Sequence, residues 1–156
     1  MFRLNFTFTS AKQLSGGLME KIFLRLTIKG DNLNLQQIVK DIPLAADTYV
    51  KGSIAPLHIP LKKYKPKAQK TNRWVYSTES QQNENLNAMI TRISKELSPW
   101  IDKIKEYTKS YSSILDIIAY ANSEKPMSKY SLKLSRKSLS IVNSLGARLC
   151  FTVWDW

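Results

Sequence analysis

The sequence predicts an α+β domain: a mainly antiparallel sheet of five or six strands with helices packed on one of its faces. Three observations carry that expectation. Residues 22–28 alternate strictly, with Ile22, Leu24, Leu26 and Ile28 on one side and Phe23, Arg25 and Thr27 on the other, so one face of a strand is wholly apolar. From Glu84 onward Leu86, Met89, Ile90, Ile93 and Leu97 recur with helical period and mark a stripe of about 100°. The order strand, polar cap, amphipathic helix, strand occurs at Leu24–Val50 and again at Tyr130–Trp154, which suggests two strand–helix–strand units laying their helices on one side of a sheet.

Each element follows from local chemistry. Gly30, Asp31 and Asn32 end the first strand, and Leu35, Ile38, Val39 and Ile42 then recur at i, i+3, i+4 and i+7. Asn34 and Gln37 stand at the N-cap and N3 positions of that helix, and Pro43 stops it. A short strand is expected at Thr48–Lys51, closed by Gly52. Another is expected at Arg73–Thr78, where Trp74 and Tyr76 share one face and Val75 takes the other. Ser98-Pro99 interrupts the long helix, with Trp100 or Ile101, Ile104 and Tyr107 continuing its apolar face to about Tyr107. Strands are expected at Ser113–Ala121 and Lys129–Leu134. A helix opened by Ser135 should then turn Leu139, Val142 and Leu145 inward and end at Gly146, before a closing strand at Arg148–Trp154. In that strand the apolar run around Cys150 makes a buried thiol the expected reading, and Trp154 falls on the face opposite Phe151 and Val153.

With 156 residues, 43% of them hydrophobic, the chain has the size and composition of one packed domain. That domain spans 19–156 and carries a basic loop at 53–72. Residues 1–18 admit two readings. Phe2, Leu4, Phe6 and Phe8 alternate like an extra edge strand, whereas Ser15-Gly16-Gly17-Leu18 ahead of Met19 resembles a translated ribosome-binding site, which would make the segment an untranslated leader. No secretory signal and no apolar run of membrane-spanning length is evident, so the expected location is the cytoplasm.

The order of several motifs resembles a known family. A strand ending in Gly30-Asp31, the spaced Leu33, Leu35 and Ile38, the pair Lys51-Gly52, the strand Trp74-Val-Tyr-Ser-Thr78, the long helix from Glu84 and the closing Ser144-Leu-Gly-Ala-Arg-Leu-Cys-Phe-Thr-Val-Trp-Asp155 resemble the bacterial domain-of-unknown-function family 4279 over about residues 20–155. The stretch from Ile54 to Asn72 is longer and more basic than that family's pattern. The resemblance implies no mechanism. Some members are encoded near bacterial toxin systems, which implies an immunity or antitoxin-type inhibitor.

Catalysis by a nucleophile, general base or metal needs convergent His, Cys, Asp or Glu side chains, and this chain has one His and one Cys. His58 lies in a loop without partners. Asp31, Asp47, Asp116 and Asp155 are separated by strands and are read as turn or cap residues. No catalytic residue, metal ligand or cofactor is therefore expected, and no Gly-rich phosphate loop is present. The charge is the distinctive feature. Lys51 to Arg73 holds seven basic residues and no acidic one, more than half of the net +12. Lys62, Lys63, Lys65, Lys67, Lys70 and Arg73, with the nearby aromatics Tyr64 and Trp74, form the candidate binding segment for a polyanion or partner. The expected function is a non-catalytic protein-interaction module with an acidic protein partner. The alternative is a nucleic-acid-binding module using the basic loop.

Overall fold

The computed structural model describes residues 21–54, 67–82, 84–121 and 133–155, the positions 121 and 153–155 by their place in strands. The elements are β1 (Lys21–Gly30), α1 (Leu35–Asp41), β2 (Asp47–Tyr49), β3 (Asn72–Glu79), α2 (Leu86–Leu97), α3 (Ile101–Ser110), β4 (Ser112–Ala121), α4 (Arg136–Ser144) and β5 (Arg148–Asp155). The five strands form one sheet in the order β2-β3-β1-β4-β5, so the fold is α+β. Three pairings are antiparallel. The pair β4–β5 is parallel, which makes the sheet mixed. Parallel neighbours need a crossover, and α4 supplies it.

The alternation read from the sequence sets the layers. Ile22, Leu24, Leu26 and Ile28 are buried and the intervening side chains of β1 are not. Register places Trp74 beside Ile28, Tyr76 beside Leu26, and Leu115 and Ile117 beside Leu26 and Leu24. These side chains join Ile38 and Ile42 around α1, all five stripe residues of α2, Ile104 of α3 and Val142 and Leu145 around α4 in one core. The four described helices thus cover one face. Leu86, Met89, Ile90, Ile93 and Leu97 are the buried residues of α2, each contributing roughly 1.5–3 kcal/mol of transfer free energy before the ordering entropy is subtracted.

Helix ends follow their caps. Asn34, Asn85 and Ser135 each accept from the backbone N–H three residues on, Gln37, Ala88 and Ser138. Only half of the first capping box forms, because the Gln37 amide donates to Asp41 at 2.7 Å. Pro99 converts the join of α2 and α3 into a 3-10 turn, Ser98–Trp100. Ser98 does not cap it; its hydroxyl donates to the Lys95 carbonyl at 2.8 Å. Tyr107 donates from α3 to Asp41 at the end of α1 at 2.8 Å, tying two helices that are distant in sequence. Gly146 takes φ +68 after α4, as its C′ role requires.

Several expectations need correction. Lys133 and Leu134 are not strand; they lead into the Ser135 cap, and the rest of the expected strand at 129–132 lies outside the described residues. Among the described residues, the strand that precedes α4 is β4. In the first unit β2 pairs with β3 rather than with β1. Leu139 is 46% exposed and Ser138 takes the inward position at 1%. The physical reason is polar. Ser138 donates to the Asn87 side-chain oxygen at 2.7 Å, which also accepts from the Ser135 N–H, while the Asn87 amide donates to the Lys133 carbonyl. That clamp between α2 and α4 rotates Leu139 outward. The N-terminal readings for 1–18 and most of the loop at 53–72 lie outside the described residues.

Candidate docking face

The described helices cover one side of the sheet, so the odd-numbered residues of β1 and their cross-strand neighbours form a second face that is free of helix among the described residues. Arg73 pairs with Lys29 and Tyr49 in register, one row in from the β1–β3 end. The next row carries Val75, Thr27, Ile114 and Arg148, flanked by Asp47. Arg25 then stands beside Ser77 and Asp116, and Asp116 beside Cys150. Phe23 follows beside Ile118, and the Phe23 ring meets Tyr120 edge-on at 5.2 Å. Residues directly opposite on one face are close enough for side chains to interact, so this surface mixes apolar and charged groups at short range. Val75 and Ile118 are buried here although they lie outside the main core.

Arg25, Lys29 and Arg73 are half-buried and Arg148 is exposed. None of the four has a carboxylate within 4.0 Å among the described residues. At the margins the pairing differs, with Lys21 meeting Glu79 at 2.6 Å and Lys51 meeting Asp31 at 2.8 Å. Asp31 is therefore a turn residue that also holds a lysine. Among the described residues the buried Nε of Arg73 finds no hydrogen-bond partner, and neither does the indole N–H of Trp74.

The sequence-predicted site residues separate. Lys67 and Lys70 are exposed and lead into β3 from a short antiparallel contact, in which Gly52 donates to Gln69 and Gln69 to Ser53, each at 2.8 Å. Arg73 joins them at the same end of the sheet, now beside Lys29 and Tyr49. Trp74 points the other way and is 0% exposed, so its ring is core and cannot stack on a ligand. Lys62, Lys63, Tyr64 and Lys65 lie outside the described residues, as does His58. Sequence reading overlooked Lys29, Arg148 and Tyr49. Arg25 was visible as the polar alternate of β1, and the same alternation points to Lys29.

Cys150 is not a core thiol. It is half-buried on the helix-free face, because β5 pairs with β4 so that Leu149 and Phe151 take the covered side. Burial, and then Asp116 beside it, push its pKa up, which keeps it protonated and a poor nucleophile. Burial and then Asp47 raise Tyr49 as well. On the helix side a cavity of about 90 Å³ between the sheet, α2, α3 and α4 is lined by Leu24, Ile93, Leu97, Ile101, Leu115 and Leu145 among others, with serines as its only polar groups. No group of three or more His, Cys, Asp or Glu that would hold a metal occurs among the described residues, and none of their helices is long and apolar enough to cross a membrane.

Comparison with known proteins agrees with the motif order. A family model described as Domain of unknown function (DUF4279) matches residues 20–156. No curated protein and no solved structure matches the chain.

Proposed function

The chain belongs to the DUF4279 family, and within that family we propose that it is a non-catalytic protein-interaction module which docks a protein partner on the helix-free face of its sheet. The observation that carries the proposal is one-sided coverage: the described helices occupy one face, while the other holds the half-buried Phe23, Ile114 and Tyr120 among four cations that have no carboxylate within salt-bridge range among the described residues. A mixture of aromatic and aliphatic area with charged groups is what protein interfaces use. The role we assign is that of a cytoplasmic inhibitor of the immunity or antitoxin type. Inhibition by occlusion needs a surface and no reacting groups. The second reading, nucleic-acid binding through the basic loop, is favoured by Lys67, Lys70 and Arg73 converging on one end of the sheet.

A photo-crosslinking amino acid placed at position 23 and, in a second protein, at position 139 on the helix side tests this. The expected result is a discrete protein adduct from position 23 in host lysate, absent from position 139 and unchanged by nuclease. Adducts from position 139 alone, or adducts that disappear with nuclease, overturn the docking reading.

A further inference from the structure

We infer that the partner surface for this face is an acidic protein segment, received by Arg25, Lys29 and Arg73; the inference rests on the docking reading above and adds the chemistry of the partner. Lys29 and Arg73 are directly opposed in register, and Arg25 lies four residues from Lys29 on the same strand face with Thr27 between them, so a cation pair and a third cation two rows away share one face. Like charges directly opposite each other destabilise a strand pair, so Lys29 and Arg73 leave an interaction that a bound anion relieves. Arg73 is half-buried and its Nε is buried without a partner. A guanidinium presents donors in a planar fork that matches a carboxylate, and a partly desolvated one gains more from that match than a fully solvated lysine does.

The choice between an acidic protein and a nucleic acid follows from what else lies on the face. Asp116 sits beside Arg25 and Asp47 beside Val75, so a continuous phosphate chain laid across these rows meets two carboxylates. A protein places its carboxylates individually and can leave those positions neutral or offer them a donor. Among the described residues, stacking platforms, the second device of single-strand recognition, are poorly provided. Trp74 is in the core, and the edge of one ring of the Phe23–Tyr120 pair is turned onto the face of the other.

The test titrates the full chain with poly-L-glutamate and, separately, with an oligothymidylate of equal charge at one fixed salt concentration. The triple variant Arg25→Gln, Lys29→Gln, Arg73→Gln is compared with a charge-matched helix-side control, Lys95→Gln, Arg136→Gln, Lys137→Gln. Loss of three ion pairs predicts poly-L-glutamate binding about tenfold weaker in the face variant and much less changed in the control. Wild-type protein should prefer poly-L-glutamate to the oligonucleotide. Equal losses in the two triples overturn the inference, as does tighter oligonucleotide binding that the face variant abolishes. Should the triple variant fail to fold, Asp116→Asn supplies the opposite test, since removing that carboxylate should tighten poly-L-glutamate binding, and no change refutes the proposal. A protein adduct from position 23 combined with failure here leaves the docking reading standing and removes the acidic partner alone.

Discussion

The guanidinium of Arg92 grips both carboxylate oxygens of Glu84, Nε to Oε1 and Nη2 to Oε2, each at 2.9 Å. Arg92 also donates to Glu96, to Thr78 and to the Glu79 carbonyl, so one side chain ties α2 to the end of β3 and to the segment that precedes its own helix. Tyr76 closes the network by donating to Glu96 at 2.5 Å. Glu84 is only 10% exposed at its side chain, which lifts this pair above the near-zero value of a solvated surface bridge.

Glu84→Gln should therefore lower stability by about 1–2 kcal/mol at neutral pH. The Arg92 hydrogen bond, partly offset by burial, holds the Glu84 pKa below its ordinary value. A carboxylate with a depressed folded pKa stabilises fully above the unfolded pKa of about 4.3 and loses that contribution as pH falls through the folded value. Urea denaturation at pH 7 and near pH 3 should show the gap between wild type and variant closing at the acid end. A gap that persists unchanged at low pH would show that shape rather than charge carries the effect.

The outward turn of Leu139 is checked by contrast. Leu139→Ser should change stability by no more than about 0.5 kcal/mol, as an exposed substitution does, whereas Val142→Ala, at a position 4% exposed, should cost roughly 1–3 kcal/mol. Thermal melts of the two variants settle the rotation of α4. Equal costs would return Leu139 to the core.

These positions also show how far a sequence can be read. The Asn34 and Ser135 caps, the α2 stripe and the alternation of β1 are local signals, and all stand in the structure. Leu139 misled because Ser138 and Leu139 differ by one helical step of about 100°, and the Asn87 acceptor that selects Ser138 lies 51 residues away. Cys150 misled because it stands in the apolar run Leu149-Cys-Phe151, whereas the alternation of Leu149, Phe151 and Val153 leaves it with Arg148 and Thr152 on the other side, the side that pairing with β4 gives it. Trp74 was placed correctly on the face of Tyr76, yet its burial depends on α1 and the other helices closing over that face. The docking face was half legible: alternation gives its residues, and only sheet order brings Arg73 beside Lys29 and Arg148 beside Ile114.

Gly146→Ala carries two separable costs. The residue sits at φ +68, where a Cβ is strained, and an added Cβ would lie 2.8 Å from the Thr108 hydroxyl. The left-handed conformation costs roughly 1–2 kcal/mol for an L residue, and the contact adds to it. Pairing the change with Thr108→Ala removes the close oxygen and leaves the backbone term. In a double-mutant cycle the combined loss should be smaller than the sum of the single losses. Strict additivity would mean that the turn shifts to relieve the contact unaided.

Trp74→Phe separates packing from polar satisfaction in the core. The indole is 0% exposed, and its N–H is buried without a partner, a state that ordinarily costs about 1–3 kcal/mol. Phenylalanine removes that donor but leaves a void where the second ring lay, and voids of this kind are penalised in proportion to their volume. The two effects oppose each other, so the net loss should stay below about 1.5 kcal/mol, while Trp74→Ala, which removes the same donor but leaves a far larger void, should cost roughly 3–5 kcal/mol. Chemical denaturation of the two variants measures the difference. Because the side chain faces the helices, neither the affinity for poly-L-glutamate nor that for an oligothymidylate should change in the phenylalanine variant. A large loss of oligonucleotide binding would mean that Trp74 leaves the core to stack on a base, and a Phe variant that loses well over about 1.5 kcal/mol would mean that the indole N–H has a partner after all.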